Sequence, residues 1–232
     1  MIPDVTGGAN WQGGSFDPET KMFYIFTNVA VTAIGLQAPE ADRSDLLMIR
    51  GLARNPNAAP VPAAPTPAGG VAAGAERAGP AAVPGVGGVA GLTVQGLPLI
   101  KPPYATITAI NMNEGSEAWR IAHGETPDAI KNHPALKGVT IPRTGRQGRI
   151  GVLTTKTLLI AGEGGFNTTP QGRGAMLRAY NKATGAEVGA VYMPAPQSGS
   201  PMTYSVNGTQ YIAVAASGPG FAGELLVYKL AQ

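Results

Sequence analysis

The sequence predicts an all-β chain: a partial β-propeller of about three four-stranded blades, carrying an Ala/Pro/Gly-rich insert. Three observations lead there. Short apolar and aromatic runs recur along the chain with turn residues between nearly every pair. A helical 3.6-residue period is hard to find outside 127–137. A strand–turn–strand unit repeats, with Ala109, Asn111 and Gly115 at the spacing of Ala179, Asn181 and Gly185. Short strands in repeated hairpin units suit a propeller, in which each blade is a four-stranded antiparallel sheet.

The elements follow in order. The first blade takes strands near 15–16 and 22–27, joined by the turn sequence Asp17-Pro18-Glu19-Thr20. The composition then shifts. Residues 53–91 are almost entirely Ala, Pro, Gly and Val, with only Arg54, Glu76 and Arg77 charged. Such a stretch has little to bury and no periodicity, so a disordered insert or long loop is expected there. The chain thus divides into 1–36, the insert 37–91, and 92–232. Strand-like sequence resumes at 104–111 and 117–122, which complete the first blade around the insert. The second blade takes 150–154, 157–162, 175–181 and 187–193. The third takes 201–206, 210–216 and 224–230, with Asn207-Gly208 as its hairpin turn, and lacks a fourth strand.

Composition bounds the function. Charged residues are 13 % of the 232, against about a quarter in an average soluble domain. The net charge of +3 is not gathered into a basic run, so a nucleic-acid partner is not expected. With no cysteine, a disulfide framework, a zinc–thiolate site and a thiol nucleophile are all excluded. No stretch of 18 apolar residues exists, so no transmembrane helix is expected. The opening residues lack the basic and apolar regions of a secretion signal, so no targeting signal is expected in this chain.

The segment Ala109-x-Asn111-x-x-x-Gly115-x-x-x-Trp119 resembles the tryptophan docking motif of the pyrroloquinoline quinone (PQQ)-dependent dehydrogenases, with Asn111 where that family usually has Asp and Gly189 in place of the second Trp. Gly7-Gly8-Ala9-Asn10-Trp11 resembles the family's Gly-Gly-x-Asn-Trp segment. Gly199-Ser200-Pro201 through Tyr211-Ile212-Ala213-Val214 is similar to its C-terminal blade. Lys101-Pro102-Pro103-Tyr104 through Gly162-Glu163-Gly164-Gly165-Phe166, with His123-Gly124-Glu125-Thr126-Pro127, is similar to the glucose-dehydrogenase-like branch.

The resemblance implies an eight-bladed propeller with PQQ on its axis, usually beside Ca²⁺. It implies oxidation of the CH–OH group of a sugar or alcohol, with a quinone or cytochrome as electron acceptor. It further implies that this chain is a C-terminal portion with little activity alone. The catalytic Asp and the Ca²⁺ ligands would lie upstream, and the parent would be periplasmic or attached to the inner membrane. Two rival readings stand beside it. One is a propeller scaffold for protein–protein interaction that binds no cofactor. The other is a short protein whose blades complete a propeller with a partner chain.

Asn10 and Trp11 are the candidate cofactor-binding residues, since the resemblance puts this Asn beside the planar PQQ. An amide donates well to quinone or carboxylate oxygens. The alternative is a turn Asn followed by a core Trp. No catalytic and no metal-binding residue is assigned. Trp119 is expected to pack between blades. His123 and His133 read as loop structure or pocket lining rather than a metal pair. Glu163 and Asp128 read as solvated turn carboxylates more readily than as bases. Arg143, Arg146 and Arg149 read as exposed turn arginines, with binding of a PQQ carboxylate as the functional alternative.

Overall fold

A computed structural model describes residues 2–3, 7–32, 35–39, 45–51 and 92–230. The core of the insert, 52–91, lies outside the described residues, and with it the disorder expected there.

The described strands form three antiparallel sheets. The first joins β1 (Gly14–Asp17), β2 (Met22–Asn28), β7 (Ala105–Asn111) and β8 (Ser116–Ala122) in that order. Two short ribbons stand between β2 and β7: β3 (Gly35–Gln37) with β4 (Ile49–Gly51), and β5 (Thr93–Val94) with β6 (Leu97–Pro98). The second sheet runs β9 (Leu153–Thr154), β10 (Leu158–Gly162), β12 (Gly172–Asn181), β13 (Glu187–Met193). The short β11 (Asn167–Thr169) pairs the start of β12. The third joins β14 (Met202–Val206), β15 (Thr209–Gly218) and β16 (Phe221–Lys229). Between the first and second sheets lie α1 (Asp128–Lys131) and a 3₁₀ turn, Pro134–Leu136, the stretch where the sequence carries its helical period.

The repeat read from the sequence is a repeat of backbone geometry. Asn111 Oδ1 accepts from the Asn113 N–H at 3.0 Å, and Asn181 Oδ1 accepts from the Ala183 N–H at 2.9 Å. Gly115 and Gly185 donate to the Asn111 and Asn181 carbonyls at 2.8 Å each, with φ +68° and +73°. These positive φ values are why glycine stands there. An Asp carboxylate would accept the same turn bond, so Asn111 in the Asp position leaves the turn intact. The strand register shifts between Ala109 and Ile110, and again between Ala179 and Tyr180, the corresponding step of the second copy.

The sheets stack face to face in chain order. Strand alternation sends Tyr24, Phe26, Ala105, Ile107 and Ala109 of the first sheet against Leu159, Ala161 and Tyr180 of the second. The opposite face of the second sheet sends Ile160, Ala175, Leu177 and Met193 against Ile212 and Val214 of the third. Trp119 docks across the first interface. Its ring lies 5.8 Å from that of Tyr24, and its Nε1–H donates to the Lys182 carbonyl at 3.2 Å. A buried ion pair, Lys182 with Asp17, ties the same two sheets together.

Candidate functional site

The Gly-rich loop before β1 is a tight turn. The Asn10 carbonyl accepts from Gly13 and its Oδ1 from the Trp11 N–H, both at 2.8 Å. Gly8 offers its carbonyl to the Asn28 N–H at 2.8 Å, which pins the loop to the end of β2. Trp11 is 97 % exposed. The core-Trp alternative is therefore wrong: the loop turns the indole outward. A flat aromatic face beside an amide suits stacking and hydrogen bonding to a planar, carboxylated ring.

The other polar candidates meet in the interior, under the segment that leads from β8 to the second sheet. Glu163, expected as a solvated turn carboxylate, is fully buried. Its Oε1 accepts from Arg178 Nη2 at 2.7 Å, Arg178 Nε at 3.0 Å and the Glu125 N–H at 2.8 Å. Its Oε2 accepts from the Met176 N–H at 3.1 Å and Asn167 Nδ2 at 3.3 Å. The correction has a simple cause. Gly164 lets the backbone of Gly148 approach so closely that a Cβ there would meet it at 2.4 Å, while Gly162 and Gly165 make room for the side chains of Gln197 and Arg146, and this close packing carries Glu163 inward.

Arg178 continues the chain of charges to Glu187 at 2.9 Å and to Glu125 at 3.0 Å. Arg143 closes it, bonding both Glu125 and Glu187. Burial works to lower the Arg178 pKa, but the charge and hydrogen bonds of Glu163 outweigh it, so the guanidinium is held more firmly charged than usual. Two guanidinium groups thus bridge three carboxylates, and each charge has an opposite partner where a lone ion would be costly.

His123 is buried beside this cluster. Nε2 lies 2.9 Å from the Gly162 carbonyl and Nδ1 lies 2.8 Å from Tyr180 Oη. A carbonyl can only accept, so Nε2 carries the proton and Nδ1 accepts from the tyrosine hydroxyl. Burial pushes the His123 pKa down to about 4 and raises that of Tyr180. Phe26 meets the imidazole edge-on at 5.7 Å. His123 stands in the loop after β8, as expected, but the loop buries it completely, and both of its nitrogens are committed.

The remaining candidates are dispersed. Arg146, expected as an exposed turn arginine, is buried against Asn167 Oδ1. Arg143 and Arg149 are exposed. Asp128, at the start of α1, accepts from the Thr168 N–H and hydroxyl at 2.9 Å each. His133 caps the 3₁₀ turn through Nδ1 and reaches the Gln95 carbonyl at 2.8 Å through Nε2.

Chemically, the buried cluster clamps structure. The Glu163 carboxylate is saturated by Arg178 and N–H groups, Glu125 and Glu187 are held by arginines, and the histidine has no nitrogen left for an outside proton. Among the described residues, no group of three His, Asp or Glu side chains could hold a metal ion. The carboxylates do not fit the Ca²⁺ that the resemblance implies, since Asp17, Glu125, Glu163 and Glu187 are all engaged by Lys or Arg. No helix of the described residues is long and apolar enough to cross a membrane. The residues missed from sequence are Arg178, Tyr180, Lys182 and Asp17. Arg178 left one signal, a charge in the middle of the apolar run Ala175 to Tyr180, which demands a buried partner.

Residues 1–212 match the model of the glucose/ethanol/alcohol dehydrogenase β-propeller domain that carries the name of PQQ. The chain is 29 % identical to a probable quinate dehydrogenase (quinone) of Xanthomonas campestris pv. juglandis, over 94 % of this chain and 24 % of that protein. It is 29 % identical to the glycerol dehydrogenase large subunit of Gluconobacter thailandicus, over 98 % of this chain and 29 % of that one. Against the quinohemoprotein alcohol dehydrogenase of Comamonas testosteroni the TM-score is 0.46 at 19 % identity, covering 92 % of this chain and 23 % of that one. The chain spans about a quarter of the length of these relatives.

Proposed function

The chain belongs to the PQQ glucose/ethanol/alcohol dehydrogenase β-propeller family, and from that premise we propose that it is the C-terminal portion, about three blades, of a propeller enzyme oxidising the CH–OH group of a sugar or alcohol, with little activity alone. PQQ is the cofactor, Asn10 and Trp11 contact it, and a quinone or cytochrome takes the electrons. The parent works in the periplasm or at the inner membrane. One observation carries the reading: Trp119 docks onto the second sheet within the matched residues, in the motif that the resemblance singled out.

PQQ, when bound, supplies a quinone that accepts the substrate's electrons, and the protein's task is to bind and orient it. In this chain, Asn10 would offer its side-chain amide and Trp11 its exposed ring face. The cluster around Glu163 would hold the segment after β8 firmly on the second sheet. Neither Glu163 nor His123 serves as the substrate's base, because both are enclosed and fully hydrogen-bonded. The base, and any Ca²⁺, must come from residues other than these.

Titration of the chain with PQQ, followed by tryptophan fluorescence and by dye reduction with glucose, glycerol and ethanol, tests this. Quenching without turnover is the expected result. A second reading, a cofactor-free scaffold, draws on the same saturated carboxylates. Absence of quenching in wild type, at PQQ concentrations up to about a millimolar, would favour it.

A further inference from the structure

The segments that lead into β1 and β9 occupy the same place in successive copies of the repeat. Ala109 and Ala179 are equivalent positions. Ala109 pairs with Tyr24, and Tyr24 with Ser15. Ala179 pairs with Ile160, and Ile160 with Leu153. Ser15 therefore corresponds to Leu153. Four residues earlier in each copy stand Trp11 and Arg149, both exposed.

One residue holds these two segments together. Asn28, at the end of β2, gives its N–H to the Gly8 carbonyl at 2.8 Å. Its Nδ2 donates to the Gly148 carbonyl at 2.9 Å, and its Oδ1 accepts from the Gly148 N–H at 3.0 Å. An amide closed on both polar groups of one residue fixes that residue's backbone. A second tie joins the strands themselves, where the Thr154 N–H donates to Ser15 Oγ at 3.2 Å. Trp11 lies three residues beyond Gly8, and Arg149 directly follows Gly148. Gly148 and Ile150 are buried on either side of Arg149, so the backbone is seated while the side chain is turned out. The three arginines of this connection thus differ in setting. Arg143 is engaged by Glu125 and Glu187, and Arg146 is buried against Asn167. Arg149 is the one anchored, through Asn28, beside the Asn10–Trp11 loop.

We propose that Arg149 completes the candidate site of Asn10 and Trp11 as its carboxylate-binding residue. The inference rests on the cofactor reading above and deepens it. An indole offers a planar ring its face, and a guanidinium offers a carboxylate two parallel N–H donors, so the pair suits a flat, carboxylated ring system such as PQQ. A hydroxy-acid substrate bound beside the cofactor would present the same group.

Fluorescence titration of the full chain tests it, since every variant used keeps Trp11. Arg149→Leu should weaken PQQ binding by about tenfold or more, and Arg149→Lys by less, because the charge stays and the fork is lost. Wild-type affinity should fall between about 0.02 and 0.5 M salt, and fall less steeply in Arg149→Leu. The trimethyl ester of PQQ should bind both proteins alike. Equal PQQ affinity in wild type and Arg149→Leu would assign the carboxylate to the substrate, provided that gluconate, and not neutral sorbitol, shifts the fluorescence of the PQQ-loaded wild type and not of the variant. Loss of neither response in Arg149→Leu would overturn the proposal and leave the cofactor reading standing. Absence of any PQQ response in wild type would overturn the cofactor reading, and this proposal with it. The urea midpoint of Arg149→Leu should match the wild type, because the side chain is exposed. Arg149→Gln takes its place if it does not fold.

Discussion

The indole of Trp119 lies directly over the backbone of Gly185: a Cβ built on Gly185 would meet the Trp119 ring at 2.8 Å. The contact joins the last strand of the first sheet to the turn between the last two strands of the second. It exists because Gly185 has no side chain and takes a φ of +73°.

Gly185→Ala should therefore destabilise the chain by about 1–3 kcal/mol, through the clash and the left-handed backbone together. Trp119→Ala should cost about 2–4 kcal/mol, because the indole packs on Tyr24 and bonds Lys182. In a Trp119→Ala background the cost of Gly185→Ala should shrink to its backbone part and the smaller contact with Ile121 Cγ2 at 3.0 Å. Urea midpoints of the four proteins in this cycle decide it. Simple additivity would mean that the two residues do not act as one dock.

Arg178→Met should be among the most damaging single changes. It leaves the fully buried Glu163 without its cation, a loss of about 3–5 kcal/mol. The double variant Glu163→Gln/Arg178→Met should recover part of that loss, since the uncompensated charge is then gone. Guanidinium unfolding of the wild type and the two variants measures the difference.

Stability should fall with pH in two steps. His123 is held neutral, its pKa moving from 6.5 to about 4 on folding, so the unfolded chain binds a proton that the folded chain refuses. Stability is then complete above about pH 6.5 and declines as pH falls toward 4. The decline totals at most about 3 kcal/mol, near 1.4 per pH unit. Asp17, hydrogen-bonded by Lys182, is lowered from 3.8 to about 2, and its contribution is lost below that first step, between about pH 4 and 2. His123→Asn should flatten the upper step and leave the lower, and Asp17→Asn should do the reverse. Urea midpoints from about pH 7 to about pH 2 show both.

Trp11→Ala should leave the unfolding midpoint unchanged to within about 0.5 kcal/mol, because the side chain stands 97 % exposed. The same change should abolish most PQQ-induced quenching, and Asn10→Ala should weaken PQQ binding by about tenfold, one lost hydrogen bond to a charged group. A PQQ response unaffected by both changes would place the cofactor contact elsewhere in the chain.

Much of the fold is legible in the amino-acid sequence. The strands of all three sheets follow the apolar runs closely, and the Asn-x-x-x-Gly turns fall where Ala109 to Gly115 and Ala179 to Gly185 recur. The site is less legible. Glu163 in a Gly-rich stretch has the look of a surface turn, and so does Arg146 beside Gly145 and Gly148. Both are buried because the connection carrying Gly145 and Gly148 presses against Ala105 of the first sheet and Gly164 beyond β10. His123 likewise gives no sign that its partners are Tyr180 and Gly162, 57 and 39 residues further on.

The sequence by itself determined the class of strand, the turns and the repeat. Those depend on alternation and backbone conformation, properties of residues within a few positions of one another. Only the tertiary structure decided which charges are buried and what they neutralise. That depends on which faces meet when sheets stack. Arg178 and Glu163 are 15 residues apart and meet where β10 pairs β12, whereas Lys182 and Asp17, 165 apart, meet only when the first two sheets close on each other; no local pattern couples either pair.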